Sequence, residues 1–301
     1  MNLPGDKQPF FSIVIPTYNR AEKLVKAVNS ILEQEFFRYE IIVVDDGSTD
    51  STQDMVADLI NRDNRIKYFF KENEERSIAR NYGIMRASGK YVSFLDSDDF
   101  LYKNHLTVAH ALLEMNAFPE VGHLGFKLVN ELGDSILVRS DFDDSFKSRL
   151  IVENIFSINS IFIRRDIVTE VNFIPSPLAT ISEDWYLWLR LAARYKFYFD
   201  NVVTSAAVNH SERSLAKIDP DKLIASTNII VKYLKKDAIF LREFGEMVPF
   251  HFANHYTLLT LTLALTKSRR RETIKYLLKA ISYDPSIIIR KRFLASVKHW
   301  F

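Results

Sequence analysis

The stretch FSIVIPTYNRAEKLVKAVNSILEQEFFRYEIIVVDD, residues 11–46, contains two different periodicities. Residues 11–15 and 40–46 are nearly all apolar, which is typical of strands buried on both faces. Between them, residues 21–34 place apolar side chains three and four positions apart, as in an amphipathic helix. A strand, a helix and a second strand in this order predict a βαβ unit with parallel strands and a right-handed crossover.

The same alternation continues to about residue 100. Two further apolar runs, at 66–70 and 91–95, follow helical patterns at 51–62 and 76–88. We therefore predict an α/β fold in which helices flank a mostly parallel central sheet. Ligands of such sheets bind beyond the carboxyl ends of the strands. Three polar motifs lie at those ends: PTYNR after the first strand, DDGSTD after the second and DSDDF after the fourth.

The second part of the chain is less regular. Strand patterns follow residue 120, with one strong helical pattern in SEDWYLWLRLAARY (182–195). We place a domain boundary near residue 217. Beyond it the spacing predicts helices at about 219–243, 247–266, 269–281 and 285–300.

Composition limits the classes of protein to which the chain can belong. Of its 301 residues, 47% are hydrophobic and 26% are charged, as in globular proteins. The chain has no cysteine, which excludes disulfides and thiolate metal sites and favours a reducing compartment. The N-terminus lacks the pattern of a signal peptide, and no run approaches the ~20 apolar residues of a membrane span. We therefore expect a cytoplasmic location, including the inner face of the cell membrane.

Charge is unevenly distributed along the chain. The net charge is +2, but residues 267–301 hold ten Lys or Arg against two acidic residues, which makes this segment +8 and leaves −6 elsewhere. If 285–300 is one helix, its apolar and basic residues lie mostly on opposite sides, with Trp300 and Phe301 on the apolar side. Such a helix either packs on the protein or lies on an anionic membrane surface. Nucleic acid is not expected as a partner, because no aromatic stacking platform interleaves the charges.

The acidic stretch DSDD (96–99) has two interpretations. Asp suits turns and helix N-caps, so the stretch needs no ligand. Clustered carboxylates nevertheless repel one another unless a cation lies among them, and Mg²⁺ or Mn²⁺ binds through one or two carboxylates plus substrate phosphates. Phosphatases with an Asp nucleophile continue a similar motif with Gly-Thr or Val-Thr, whereas this chain continues with DFLY.

Each of the other motifs also has both a structural and a ligand-binding interpretation. PTYNR and DDGSTD are adequate as turns, but Tyr18 can also stack on a base whose N–H donates to Asp46. A helix N-terminus explains the acidic pair in SEDWYLWLRL. Alternatively, Trp185 beside Glu183 and Asp184 is typical of a sugar site, in which an aromatic face supports the ring.

Taken together and in this order, the motifs resemble those of family 2 glycosyltransferases of the GT-A fold. The matching stretches are FSIVIPTYNRAEKLVKAVNSILEQ, EIIVVDDGSTDST, RSIARNYGI, GKYVSFLDSDD and SEDWYLWLRL, which span about residues 10–210. The resemblance implies a GT-A catalytic domain at 1–217 and a helical extension at 218–301. Within the domain it implies a nucleotide-sugar half at about 1–100 and an acceptor half at about 101–217.

The resemblance also implies roles for individual residues. Asp98, the last Asp of the D-x-D element, would bind a divalent metal, Mn²⁺ or Mg²⁺, with His210 as a second ligand. Asp184 would be the catalytic base, and Glu183 and Trp185 are candidates for contact with the acceptor sugar. The implied nucleotide-sugar pocket is lined by Pro16, Thr17, Tyr18, Asp46, Arg76, Asp96 and Ser97. His251 and His255 are instead expected to pack in a helix or to lie on the surface, because no Glu completes a zinc-protease pattern.

The implied reaction moves a sugar from a nucleoside-diphosphate sugar, UDP-sugar first, to a hydroxyl of a glycan or lipid-linked glycan, as in the assembly of bacterial surface polysaccharide. One carboxylate base and no protein nucleophile would invert the anomeric configuration. Two rival functions remain. One is a non-catalytic glycan- or membrane-binding protein with a transferase-like fold. The other is a sugar-phosphate nucleotidyltransferase, which usually has a Gly-rich basic loop where this chain has PTYNRAEK.

Overall fold

The computed structural model describes residues 8–210, 219–266 and 269–300. The strands are β1 Phe11–Thr17, β2 Tyr39–Asp45, β3 Ile66–Phe70, β4 Tyr91–Phe94, β5 Phe100–Leu101, β6 Val121–Asn130, β7 Ser135–Arg139, β8 Ile161–Arg164 and β9 Phe197–Asn209. The helices up to the end of β9 are α1 Ala21–Leu32, α2 Thr52–Arg62, α3 Arg76–Ile84, α4 His105–Met115, α5 Phe146–Leu150, α6 Arg165–Glu170 and α7 Glu183–Arg194. The later helices are α8 Pro220–Leu234, α9 Ala238–Phe244, α10 Met247–Leu265, α11 Arg270–Tyr283 and α12 Lys291–Trp300.

The strands form one sheet in the order β3-β2-β1-β4-β8-β6-β9-β5, with β7 paired to β6 off this path. Strands β1 to β4 are parallel to one another. Strand β8 runs antiparallel to β4 and β6, whereas β6 and β9 are parallel. The predicted α/β fold with a mostly parallel sheet is confirmed.

Burial explains the uninterrupted apolar runs of the first strands. Every residue of β1 and β2 is buried, because helices cover both faces of this half of the sheet. Ile13 and Ile15 of β1 share a hydrophobic cluster with Leu24, Val28 and Ile31 of α1. Leu24, Val28 and Ile31 therefore form the face of α1 that contacts the sheet.

Gly83 allows α3 to approach the opposite face of β1. A Cβ built on Gly83 would lie 2.4 Å from Cγ1 of Val14, and Val14 points away from the face that Ile13 and Ile15 occupy. Only a hydrogen atom fits there. The close approach sets the position of α3, whose first residue, Arg76, follows the carboxyl end of β3.

We expect Gly83→Ala to lower the free energy of unfolding. Overpacking against a rigid β-branched side chain costs about 1–3 kcal/mol, which exceeds the roughly 0.5–1 kcal/mol that Ala contributes through helix propensity. Chemical denaturation of Gly83→Ala, Val14→Ala and the double variant measures the effect. Strict additivity of the two single changes would contradict the contact, because the smaller side chain at 14 should relieve the clash.

The chain divides into two compact units. The first comprises the described residues up to Ser145, with Ile155–Pro177 and Tyr195–Asn209, and it contains the whole sheet. The second comprises Phe146–Asn154, Leu178–Arg194 and the described residues from His210 onward. Helix α7 therefore groups with the C-terminal helices, although it precedes the boundary predicted near residue 217.

In the second unit, α8, α9, α11 and α12 all contact α10, most of whose residues are buried. The helix predicted at 219–243 is two helices. The first, α8, ends at Leu234, and Asp237 caps the second, α9, by accepting hydrogen bonds from the backbone N–H groups of Ile239 and Phe240. Salt bridges from Arg190 and Arg194 of α7 hold the same carboxylate at 2.8 Å.

The segment predicted as one helix at 285–300 is also divided. It consists of a 3₁₀ turn, Pro285–Ile289, and α12, separated by extended backbone at Arg290. Phe293 and Ser296 of α12 are buried. The expected anchors, the Trp300 side chain and Phe301, lie outside the described part of the chain. No helix among the described residues has the length and apolar character that a membrane span requires.

Candidate functional site

The loops that follow β1 and β2 are hydrogen-bonded to each other. Asp46 N donates to Thr17 O at 2.9 Å, and Asn19 N donates to Ser48 Oγ at 2.8 Å. Asn19 Oδ1 in turn accepts from Thr49 N at 2.7 Å. Asn19 adopts φ 50°, a left-handed conformation that Asn tolerates better than most residues. The structure thus brings two of the predicted pocket segments side by side.

The predicted pocket residues of the first loop differ in exposure. Pro16 and Thr17 end β1 and are buried, whereas the Tyr18 ring is 47% exposed. An exposed aromatic ring beside a strand end can stack on a planar ligand. Pro16 and Thr17 are buried beside this ring, and their predicted contact with a nucleotide sugar remains a prediction.

Asp45 shapes the turn after β2. Its Oδ1 accepts a hydrogen bond from Ser48 N at 2.8 Å, and its Oδ2 accepts one from the Tyr68 hydroxyl at 2.7 Å. Burial and the contact with Asp45 raise the pKa of Tyr68, so the phenol remains a donor. Gly47 completes the turn at φ +87°, where a side chain would be strained. Asp45 is therefore a structural carboxylate.

Asp46, the second carboxylate of the pair, accepts hydrogen bonds from Lys71 and Glu74. Its Oδ1 lies 2.7 Å from Lys71 Nζ and 3.1 Å from Glu74 N. Burial opposes the charge on Lys71, but Asp46 and Glu74 outweigh it and raise the pKa of the ammonium group. Sequence reasoning missed Lys71, although a lysine directly after an apolar strand was a usable signal. The pair places an acceptor and a cation at the carboxyl end of β2.

The three carboxylates of the DSDD stretch lie close together but are not equivalent. Asp96, Asp98 and Asp99 can each place a ligand oxygen within 4.8 Å of the others. Asp99 Oδ2 accepts from Asn159 Nδ2 and Oδ1 accepts from Val208 N, both at 2.8 Å. Asn159 Oδ1 also accepts from Asp96 N at 3.1 Å. Asp99 and the fully buried Asn159 therefore hold the turn that presents the other two carboxylates.

An arginine lies against each of those two carboxylates. Arg20 Nη1 is 2.5 Å from Asp98 Oδ2, and Arg80 Nη2 is 2.7 Å from Asp96 Oδ1. The Arg80 guanidinium is buried and lies over the Phe173 ring at 5.3 Å. Positive charge is what clustered carboxylates require. Carboxylate oxygens are also the donors that Mg²⁺ and Mn²⁺ prefer, so Asp98 and Asp96 fit a hard divalent cation, whereas both oxygens of Asp99 are already engaged.

The start of α3 presents a further cationic group, Arg76. Glu75, which precedes the helix, adopts φ 72°, and Arg76 is the exposed first residue of α3. Strained backbone of this kind concentrates at functional sites. Asn81, one helical turn further on, instead holds the chain together: it exchanges two hydrogen bonds with the backbone of Phe173, at 3.0 and 3.1 Å. Ser97 of the predicted pocket is buried within the acidic turn.

Asp184, the predicted base, belongs to the second unit. It lies in the first turn of α7, where its Oδ2 accepts from Asn154 Nδ2 at 2.9 Å and its Oδ1 accepts from Trp185 N at 2.7 Å. Ser182, just before the helix, adopts φ 61°, a costly conformation for a residue with a side chain. Two donors thus fix the orientation of the Asp184 carboxylate.

Trp185 is a core side chain of the second unit. It is 3% exposed, and its Nε1 donates to Leu150 O at 2.7 Å. Its ring centroid lies 5.0 Å from that of His251 and 5.5 Å from that of His255. The ring therefore packs among the helices and presents no open face for a sugar. The two histidines are packed there, which is one of the two places that the sequence left open for them.

Glu183 and His210 are also buried. Glu183 begins α7 and is 3% exposed, and His210 directly follows β9 and is 6% exposed. Their predicted roles, in acceptor contact and in metal ligation, remain predictions.

Comparison with known proteins assigns a family on the basis of the first part of the chain. Residues 12–118, which include β1 to β4 and all three polar motifs of the first unit, match the family model described as glycosyl transferase family 2. The chain belongs to this family. An uncharacterized glycosyltransferase of Rickettsia conorii is 32% identical over 243 residues, covering 78% of this chain and 38% of that protein. This family 2 chain thus spans less than half of that relative's length.

Two further proteins resemble the family 2 chain. The GalNAc(5)-diNAcBac-PP-undecaprenol beta-1,3-glucosyltransferase of Campylobacter jejuni is 44% identical over 101 residues, which is 33% of each chain. The crystal structure of S. aureus TarS 1–349 in complex with UDP superposes with a TM-score of 0.70 at 21% identity, over 96% of this chain and 87% of that one. The fold is GT-A.

Proposed function

We propose that the protein is an inverting glycosyltransferase that moves a sugar from a nucleoside-diphosphate sugar to a hydroxyl of a glycan or a lipid-linked glycan. The observation that carries the proposal is the acidic turn after β4, in which Asp98 and Asp96 are presented as a pair and each meets an arginine. Carboxylates beside guanidinium groups suit a ligand that carries both a cation and a diphosphate.

The donor is proposed to be a UDP-sugar. Asp46 is an acceptor for a base N–H, and the exposed ring of Tyr18 is a surface on which that base can stack. Asp96 would contact the ribose, and Arg76 at the positive end of α3 would contact the diphosphate. UDP as the nucleotide is supported by the likeness to TarS, whose crystal structure holds UDP.

The proposed acceptor is a lipid-linked glycan of bacterial surface polysaccharide assembly. Support comes from the C. jejuni relative, whose name states a glucosyltransferase acting on an undecaprenol-diphosphate glycan. The aligned segment covers 33% of each chain.

A divalent cation, Mn²⁺ or Mg²⁺, is proposed to bind at Asp98, with His210 as a predicted further ligand. When bound, it would neutralise the charge that develops on the leaving diphosphate. Two arginines of the chain also place positive charge beside the acidic turn. Arg20 neutralises Asp98 in the free protein, and Arg80 holds Asp96 from within the core.

Asp184 is proposed as the general base. The acceptor oxygen attacks the anomeric carbon, the bond from that carbon to the diphosphate oxygen breaks, and the hydroxyl proton passes to the Asp184 carboxylate. Asn154 and the backbone of Trp185 hold this carboxylate in a fixed direction. A single displacement inverts the configuration at carbon.

Turnover separates this function from its rivals. With UDP-glucose or UDP-N-acetylglucosamine, Mn²⁺ and an undecaprenyl-diphosphate glycan, we expect UDP release and a β-linked product from the α-linked donor. A non-catalytic binding protein would bind without releasing UDP. A nucleotidyltransferase would instead release pyrophosphate from UTP and a sugar phosphate. Either outcome, or retained configuration in the product, would contradict the proposal.

A further inference from the structure

The outer side of α11 combines basic and apolar side chains. Arg271, Ile274, Lys275 and Leu278 recur at three- and four-residue spacing, so they share one helix face. All four are exposed, Ile274 to 41% and Leu278 to 62%. The buried positions of α11, such as Tyr276, lie on the side that contacts α10.

The same character continues into the next two elements. In the 3₁₀ turn that contacts both α11 and α12, Ile287 is 1% exposed, whereas Ile289 is 73% exposed. Lys291 begins α12 and is exposed, and Leu294, one turn later, is 54% exposed. Large aliphatic side chains are therefore exposed next to cations in three successive elements.

Three of these cations form no ion pair with the described part of the chain. Arg269 pairs with Asp221 and Glu272, but no ion pair within 4.0 Å joins Arg271, Lys275 or Lys291 to a carboxylate of the described chain. Positive charge accumulates as a result. Burial, together with the ammonium groups of Lys235 and Lys275, lowers the pKa of Lys279.

Six residues define what we name the basic-apolar face: Arg271, Ile274, Lys275, Leu278, Ile289 and Lys291. We propose that this face binds the surface of an anionic membrane, with its aliphatic side chains at the acyl boundary and its cations among the headgroups. The proposal concerns where the protein lies and is independent of the transfer reaction.

The chemistry of the face favours a lipid surface over nucleic acid. Exposed Ile and Leu gain free energy when they leave water for the acyl boundary, and each nearby cation adds attraction to anionic lipid. A nucleic acid would use the cations but offers little to aliphatic side chains, because its bases stack on aromatic rings. The segment from 267 to the end carries +8 while the rest carries −6, so the chain has one strongly basic region to orient towards an anionic leaflet.

Co-sedimentation with vesicles tests the proposal in the full chain. We expect binding to vesicles of phosphatidylcholine with phosphatidylglycerol, and little binding to phosphatidylcholine alone. Lys275→Gln with Lys291→Gln should weaken binding roughly twenty-five-fold, from about a factor of five per cation. Leu278→Ser with Ile289→Ser should weaken it roughly tenfold or more through lost apolar burial.

Matched controls exist in the first unit. Lys26→Gln with Lys196→Gln removes two exposed cations, and Leu132→Ser removes an aliphatic side chain that is 88% exposed. Both controls should bind as the wild type does. Equal binding to the two kinds of vesicle, or equal losses in face and control variants, would overturn the proposal. Binding of single-stranded RNA that depends on Lys275 and Lys291 but not on Leu278, without vesicle binding, would assign the face to nucleic acid instead.

Discussion

Asp184→Asn is expected to lower turnover of the sugar donor about 10²- to 10⁴-fold, the usual share of a positioned general base. The variant amide cannot take the acceptor's proton, but it keeps the size of the carboxylate. Its oxygen can still accept from Trp185 N, and the Asn154 amide can turn over so that its own oxygen meets the new NH₂ group. Donor binding and the free energy of unfolding should change little.

Asp219→Asn is the matched control. Asp219 also sits at the start of a helix of the second unit, where its side chain accepts from Asp221 N at 2.9 Å, and Asn caps helices as well as Asp does. Steady-state turnover and calorimetric donor binding should be measured on both variants. Full activity in Asp184→Asn would return this residue to a capping role. An equal loss of turnover in Asp219→Asn would mean that altered helix capping, and not the loss of a base, lowers turnover.

The protein is expected to lose stability steeply between pH 6.5 and about pH 5. His105 and His123 of the first unit and His251 and His255 of the second are fully buried. Burial lowers the pKa of His105, His123 and His255 to about 3 and that of His251 to about 4. The His123 ring lies among Phe142 and Phe156, with centroids 4.6 and 4.4 Å away.

The sign follows from proton binding. Because the folded pKa values lie below the unfolded value of about 6.5, the unfolded chain binds more protons as the pH falls below 6.5, and stability is lost. Each histidine contributes about 1.4 kcal/mol per pH unit, so the four together lose about 5.6 kcal/mol per unit, comparable to the whole stability of a domain.

Melting temperatures between pH 7.5 and pH 4.5 measure this effect. His123→Leu removes one titrating group and should reduce the dependence by about 1.4 kcal/mol per pH unit. It should also raise stability at pH 7, because no described residue hydrogen-bonds either ring nitrogen of His123 and burying such a group is costly. A melting temperature that is constant from pH 7 to pH 5 would contradict the burial of these rings.

Local periodicity was enough to predict the sheet. The runs at 11–15, 40–46, 66–70 and 91–95 are strands β1 to β4, because strands covered on both faces need apolar residues at every position. The same reasoning predicted α7 and the strands on either side of it. It did not predict the breaks at Asp237 and Arg290. Asp237 is nevertheless a local signal, because Asp is a preferred N-cap residue and here caps the helix that follows it.

The sequence predicted which residues belong to the candidate site, but not which of them contact each other. DSDD indicated three similar carboxylates, but their roles differ because Asn159, some sixty residues away in the chain, engages Asp99. Arg20 against Asp98 and Lys71 against Asp46 are also long-range pairs that no spacing rule encodes. Trp185 illustrates the opposite error: an aromatic beside carboxylates suggested a sugar platform, but the amphipathic helix buries it.

The central claim is that Asp98 holds a cation for a nucleoside diphosphate. Titration calorimetry of UDP, with and without Mn²⁺, tests it directly in the wild type, in Asp98→Asn and in Asp58→Asn, an exposed Asp of α2 that serves as control. We predict that Mn²⁺ strengthens UDP binding to the wild type and to the control. In Asp98→Asn, the increase in UDP affinity that Mn²⁺ causes should be smaller by a factor of about ten or more. The same Mn²⁺-dependent gain in Asp98→Asn as in the wild type would contradict the account.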